Sequence, residues 1–292
     1  MEAAANKSPL EPLVSQLESA SALDPIGKRV GKAARGVFGH GALKEALSGT
    51  PLGHALHPVL TDVVIGSFVS ATVLDLLGGD SDGRAAERLI TVGIAAYVPT
   101  AATGANDWAD SEIADPAVRR VGLVHAVSNS TALALYSASL RARRRGSTTR
   151  GKLLGAAGAA ALAAAGYLGG HLSFTRGVGP NQTVFDPGPS DWSTAIDASD
   201  LAADVPKSVV VEETPVFMLR HADGLHALHD RCSHRGCSLA GGQVEGESIV
   251  CPCHGSRFSL HDGRVEHGPA TSPQPAYDVR EREGKIEIKR RG

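Results

Sequence analysis

Four long apolar stretches alternate with short polar connections in the first half of the chain. They run over Pro58–Gly78, Leu89–Ala105, Val121–Leu140 and Leu153–Phe174, and the last three hold no Asp, Glu, Lys or Arg. Each approaches the ~20 residues that an α-helix needs to cross a bilayer. The first carries Asp62 and Asp75, one near each end. The connections are Gly79-Asp80-Ser81-Asp82-Gly83, then Asp107 to Arg120, then the arginine-rich Arg141 to Lys152. A soluble surface helix keeps a charged outer face, and three successive helices without one predict a membrane bundle packed through small Ala and Gly residues. A soluble bundle is the alternative, because Ala and Gly are weakly apolar and Ser128-Asn129-Ser130-Thr131 interrupts the third stretch.

The last third has a different pattern. Val209-Val210-Val211, Val216-Phe217-Met218-Leu219, Leu225-His226-Ala227-Leu228 and Ile286-Glu287-Ile288 are short strand-like runs between Gly, Pro and Asp turns. The expected organisation is an N-terminal region over 1–57, an all-α four-helix transmembrane bundle over 58–175, a linker over 176–206 and an all-β domain over 207–292. Within the first region, residues 24–46 form a candidate amphipathic interfacial helix. Its apolar face is Ile26, Val30, Ala33 and Val37, flanked by Lys28, Arg29, Lys32 and Arg35. A soluble lead-in helix is the alternative reading of this segment.

Charge and cysteine content narrow the chemistry. With 29 Lys and Arg against 31 Asp and Glu the net charge is -2, which leaves no basic field to attract nucleic acid. All four cysteines lie between Cys232 and Cys253. A disulfide-stapled secreted scaffold spreads its cysteines over the fold, so this crowding points to a metal site. Cys232-Ser233-His234 and Cys251-Pro252-Cys253-His254 offer two thiolates and two imidazoles, a donor set that suits zinc as well as iron.

The residues around them carry a family resemblance. Cys232-Ser233-His234-Arg235-Gly236-Cys237-Ser238-Leu239 and Cys251-Pro252-Cys253-His254-Gly255-Ser256-Arg257-Phe258 resemble the two cluster-binding loops of Rieske iron–sulfur proteins. The resemblance implies a [2Fe–2S] cluster with Cys232 and Cys251 on the buried iron and His234 and His254 on the outer one. It makes those histidines the electron exit and the groups whose protonation couples to reduction. Gly236 and Gly255 suit the tight turns that bring backbone amides to the sulfides. Gly268-Pro269-Ala270 resembles the proline loop that covers the cluster. Likeness to the Rieske subunits of quinol–cytochrome oxidoreductases implies a Cys237–Cys253 disulfide, with two free thiols as the alternative in a reducing cytoplasm. Two departures from those subunits imply a lower potential and a poor quinone dock. Arg235 replaces an apolar residue, as in Rieske ferredoxins, and Phe258 replaces a tyrosine that bonds a ligand sulfur, while Ser256 is kept. His226, His229, His261 and His267 are read as surface residues. No oxygenase catalytic domain with two histidines and a carboxylate follows, so the chain is expected to be an oxidoreductase-type electron carrier rather than a complete enzyme.

The apolar half resembles, more distantly, an uncharacterised four-helix membrane domain of bacterial proteins. An even number of crossings places His54, His57, Asp107, His125 and His171 at one membrane face. Imidazoles there could hold haem b, bind a non-haem metal or hydrogen-bond a quinone, or could simply cap helix ends, as His57 before Pro58 would. The basic third connection, with Arg84 and Arg88 in the first, puts both termini on the outer side of a bacterial cell membrane; the basic 24–46 segment argues the reverse. The first residues are too polar for a cleavable signal peptide, and the arginines before the fourth stretch match a twin-arginine signal poorly. The expected function is a membrane-bound electron carrier exchanging electrons with a haem or quinone in the bundle and with donor and acceptor proteins. The alternatives are a membrane-tethered ferredoxin serving a separate oxygenase or reductase, and a redox sensor. Oligomeric state is not legible.

Overall fold

The structure, a computed structural model, describes residues 9–39, 41–79 and 82–291. The signal-peptide reading at Met1 and the Asp80-Ser81 turn lie outside the described residues. The chain divides into two compact units. One joins residues up to Gly39 with Leu56–Val178; the other joins the intervening residues up to Ala55 with those from Gly179 on.

The first unit is helical. Two lead-in helices, α1 (Glu11–Ser19) and α2 (Asp24–Phe38), precede four long ones: α4 (Leu56–Leu77), α5 (Gly83–Ser111), α6 (Pro116–Arg144) and α7 (Thr148–Gly170). Helix α6 starts cleanly because the Asp115 carboxylate accepts the Ala117 N–H at 2.7 Å with Pro116 at the first helical position. It ends at Gly146, whose φ of +81° only glycine adopts freely. A single helix over 24–46 is not what forms. Gly39 and Gly41 break it, and the remainder becomes α3 (Gly41–Ser48) of the other unit. Helix α2 docks through Gly27 and Gly31, which lie against Arg119 and Glu112, so Ile26, Val30 and Val37 stay exposed.

The apolar stretches prove to be the middles of longer helices. Their polar flanks meet no helix breaker and stay helical, drawing Glu87, Asp107 and Arg119 into α5 and α6. Among the described residues, two helices are therefore long and apolar enough to cross a membrane by length and composition, Leu56–Leu77 and Thr148–Thr175. The inward face holds Val64, Phe68, Ala71, Ile90, Ala132, Tyr136 and Leu162. Outward-facing Val69, Val73, Val92, Val98, Val127 and Leu153 are exposed, a surface that water solvates poorly. Polar groups gather instead at one end. Glu112 binds Arg35 at 2.6 Å and Arg119 at 2.5 Å, and Arg120 meets Asp24 at 2.7 Å. Arg143, expected in a loop, lies at the end of α6 buried against Asp75.

The second unit is all-β apart from α3 and short turns. It contains β1 (Ser193–Asp197), β2 (Lys207–Val211), β3 (Thr214–His221), β4 (Gly224–His229), β5 (Gln243–Glu245), β6 (Ser248–Val250), β7 (Arg257–Ser259), β8 (Val265–His267), β9 (Tyr277–Arg282) and β10 (Lys285–Arg290). They form three antiparallel sheets, ordered β2-β3-β4, β5-β6-β7-β8 and β1-β10-β9. Part of the stretch read as a linker is thus strand β1, paired to β10. The unbroken apolar run in β3 has a direct cause. Phe217 and Leu219 face one core, with Leu228, Ile249 and Phe258, while Val216 and Met218 face another, with Tyr277, Ile286 and Ile288. The first of these cores also receives Cys232 and Cys251.

Candidate metal centre

Two loops at the edge of that core have the same construction. One joins β4 to β5 and the other joins β6 to β7. In the first, the Gly236 N–H donates to Cys232 O and the Cys232 N–H to Cys237 O, both at 2.8 Å. In the second, the Gly255 N–H donates to Cys251 O at 3.1 Å and the Cys251 N–H to Ser256 O at 2.8 Å. Gly236 and Gly255 carry φ of +78° and +77°, so each turn needs a residue without a Cβ penalty at that position. Backbone N–H groups two and three residues on, from His234 and Arg235 in one loop and Cys253 and His254 in the other, face the cysteine sulfur. Such nests favour thiolate.

The four donors converge. Cys232 and Cys251 are unbridged, buried and in direct sulfur contact. The Cys232 thiol, hydrogen-bonded to Cys251 and buried, is pushed up, and Cys251 is lowered to about 7 by that bond. The His234 and His254 rings lie edge to face, 5.1 Å between centroids. The His234 Nδ1 is out of reach of water. Burial first, and then the Arg235, His254 and Lys44 charges, hold His234 neutral, the form that ligates a metal. Two sulfurs on the core side and two imidazoles beyond them fit a [2Fe–2S] cluster of the mixed-ligand kind. Cys237 and Cys253 are joined in a disulfide that ties one loop to the other.

The supporting groups include several that sequence reasoning missed. Asp230, buried at the start of the first loop, accepts the Ala240 N–H at 2.8 Å and the hydroxyls of Ser208 and Ser238. Gln274 accepts the Ser233 N–H at 2.9 Å and donates to the His229 and Arg231 carbonyls, both at 2.5 Å. Pro273 and Pro275 flank Gln274, the one local hint that its backbone is fixed. Ser256 accepts the Ala270 N–H at 3.0 Å, which holds the Pro269 loop beside the second loop, and Phe258 is fully buried. The Ala270 carbonyl in turn accepts from Thr50, and His267 lies 3.0 Å from Glu45, so the α3 segment packs on this loop. Two of the four histidines read as surface residues are buried. His226 lies between Leu260 O and Asp223, and His229 bonds Asp186 and accepts the Arg231 N–H.

The membrane-half residues do not form one site. His54 is exposed and bonds Ala55 O, Asp107 lies by Asn106, and His171 pairs with Glu18 at 2.7 Å. Of the five, His57 and His125 lie within electrostatic reach of each other.

Comparison with known proteins agrees with this division. The family described as Rieske [2Fe-2S] domain matches residues 191–278, and the family described as Predicted membrane protein (DUF2231) matches residues 53–182. The anthranilate 1,2-dioxygenase ferredoxin subunit of Burkholderia cepacia is 29% identical over 99 residues, 34% of this chain and 92% of that protein. The 3-phenylpropionate/cinnamic acid dioxygenase ferredoxin subunit of Photorhabdus laumondii is 41% identical over 80 residues, 27% of this chain and 76% of that protein. Among solved structures, the ferredoxin of carbazole 1,9a-dioxygenase from Nocardioides aromaticivorans matches at 28% identity and a TM-score of 0.33, over 35% of this chain and 100% of that one. The chain therefore belongs to the Rieske [2Fe-2S] domain family through its C-terminal unit, preceded by a DUF2231 predicted membrane protein domain.

Proposed function

We propose that this chain is a membrane-held one-electron carrier in which Cys232 and Cys251 ligate one iron of a [2Fe–2S] cluster and His234 and His254 the other. The observation that carries this reading is the pair of equivalent loops, each presenting one buried cysteine four residues before a left-handed glycine, with one imidazole between them. When bound, the cluster supplies a one-electron couple. The chain's own residues seat it. The buried cysteines exclude water, the backbone N–H nests stabilise negative charge on sulfur, and Asp230, Gln274 and Ser256 fix the loops that carry the ligands. Arg235 and Lys44 bring positive charge to His234, which disfavours an apolar quinone beside it.

The helical unit crosses a bacterial cell membrane four times and contributes a second electron-exchange site, haem or quinone. Its apolar outward faces support the membrane placement, and the convergence of His57 and His125 supports the second site. One other destination for the electron has an observation behind it. The relatives are ferredoxin subunits of dioxygenases, which favours delivery to a separate oxygenase with the helices as an anchor.

The test is electron paramagnetic resonance of the detergent-solubilised full chain, oxidised and after dithionite reduction. A Rieske-type signal on reduction is expected, absent in Cys232→Ser and His254→Ala. Stoichiometric zinc with no such signal would overturn the proposal. Stopped-flow reoxidation by a soluble dioxygenase, against reoxidation by quinone in vesicles, then separates the two destinations.

A further inference from the structure

The four long helices form two hairpins, α4–α5 and α6–α7, and the second repeats the first. Phe68 of α4 stacks on Tyr136 of α6, with ring centroids 4.0 Å apart and planes 6° apart, and the two stand 68 residues apart in the chain. Asp75 and Arg143, also 68 residues apart, form the buried ion pair. The same step carries His57 to His125 and Thr61 to Asn129; the latter two side chains bond the His57 and His125 carbonyls, respectively. These positions recur along α4 and along α6 at about three and two helical turns, so each set lies on one face. A second constant step relates α5 to α7. The Phe68 ring lies on Gly93 and the Tyr136 ring on Gly158, and the His57 ring lies on Gly104 and the His125 ring on Gly169. Corresponding residues meet each other, the mark of a two-fold relation between the hairpins. Most of these pairs have diverged, Phe against Tyr, Asp against Arg, Thr against Asn. The histidines, and the glycine beneath each ring, are identical.

Both histidines are held alike. The His57 Nδ1 lies 3.1 Å from Thr100 O, and the His125 Nδ1 lies 2.8 Å from Ala165 O, the corresponding carbonyl of the other hairpin. A carbonyl oxygen only accepts, so each Nδ1 carries the proton and each Nε2 the lone pair. That is how metal-bound histidines are oriented, the second ring nitrogen fixed by a backbone acceptor. Asn129 Nδ2 lies 3.1 Å from the His125 Nε2, the contact expected of an accepting Nε2.

The ligand class follows from what the pair lacks. A quinone carbonyl needs a donor, and Nε2 in this tautomer offers none. A non-haem iron needs a carboxylate beside two histidines, and among the described residues no third His, Cys, Asp or Glu ligand atom converges on these two. A porphyrin supplies four equatorial nitrogens itself and leaves one axial position on each face of its ring. Two imidazoles related by a two-fold would approach such a ring one from each face.

We propose that His57 and His125 are the axial ligands of one haem held between the two hairpins. The inference rests on the second electron-exchange site proposed above and names its occupant. On iron binding the Asn129 amide turns off Nε2 and keeps its bond to His125 O.

The experiment titrates full-length protein in detergent with ferric protoporphyrin and follows the visible spectrum and the low-temperature resonance signals together. Expected is one low-spin, six-coordinate haem per chain, converted to a five-coordinate high-spin form in His57→Gly and in His125→Gly and restored by free imidazole. His54→Ala should bind as the parent does. Gly104→Leu, which drives a side chain into the His57 ring, should also lose the low-spin form. Absence of low-spin haem in the parent protein, or its persistence in both glycine variants, overturns the proposal. The Rieske-type signal is read in the same samples. If that signal is present without low-spin haem, the haem assignment fails and the carrier reading stands; low-spin haem without that signal has the opposite meaning.

Discussion

Two glycines and one histidine show how narrowly single residues are constrained around the loops. A Cβ at Gly255 would touch nothing, so Gly255→Ala isolates the backbone effect of a left-handed φ. It should lower stability by about 1–2 kcal/mol, read as a fall in the denaturant midpoint of the apo-protein at unchanged slope. Gly263→Ala should do more harm, because its Cβ would also meet the Gln274 carbonyl at 1.9 Å. His229 supplies a pH signature. Its burial lowers its pKa, and the neighbouring Asp186 offsets this only in part. The folded state therefore refuses a proton that the unfolded state accepts below the ordinary histidine value of about 6.5. Stability rises with pH between the folded-state pKa and that value, and this contribution is flat above it. Unfolding midpoints at pH 5.5 and 7.5 should differ less in His229→Gln than in the parent.

At the scale of elements, the same rule that builds the loops builds the helices: polar groups in dry places occur in pairs. The Asp75–Arg143 bridge joins α4 to α6 with both side chains buried. Asp75→Asn leaves a buried guanidinium without its counter-charge and should destabilise the helical unit by about 3–5 kcal/mol, whereas Asp75→Leu with Arg143→Met should recover most of the loss. Thermal unfolding in detergent, followed by helical circular dichroism, reads both variants. Equal losses in the single and double variants would show that the pair is not coupled. Such pairing also explains why the helices outrun their apolar middles. Glu112, Arg119, Arg35, Asp24 and Arg120 pair with one another at the end of the bundle, so the polar flanks of α5 and α6 stay helical.

At the scale of the whole molecule, the four crossings proposed above have a simple consequence. Reporter fusions at the two termini should give the same sidedness, and the chain should stay with the membrane after an alkaline wash. Opposite sidedness would rule out four spans. The sequence by itself determined the β unit and offered its candidate donors, because a cysteine, a histidine two or three residues on, the left-handed glycine and a second cysteine are a local code: the turn, the sulfur nest and the candidate ligand all lie within eight residues. It determined the helical unit only in outline. Hydropathy locates apolar middles but does not say where a polar flank is neutralised, so α5, α6 and the break between α2 and α3 emerged only from packing. The same holds for Asp230, Gln274 and His229, whose partners lie far along the chain and whose burial no local pattern announces. The five membrane-half candidates show the limit most plainly. All sit near helix ends in the sequence, yet which of them meet depends on how one hairpin is rotated against the other, and only the tertiary structure sets that rotation and brings His57 within electrostatic reach of His125.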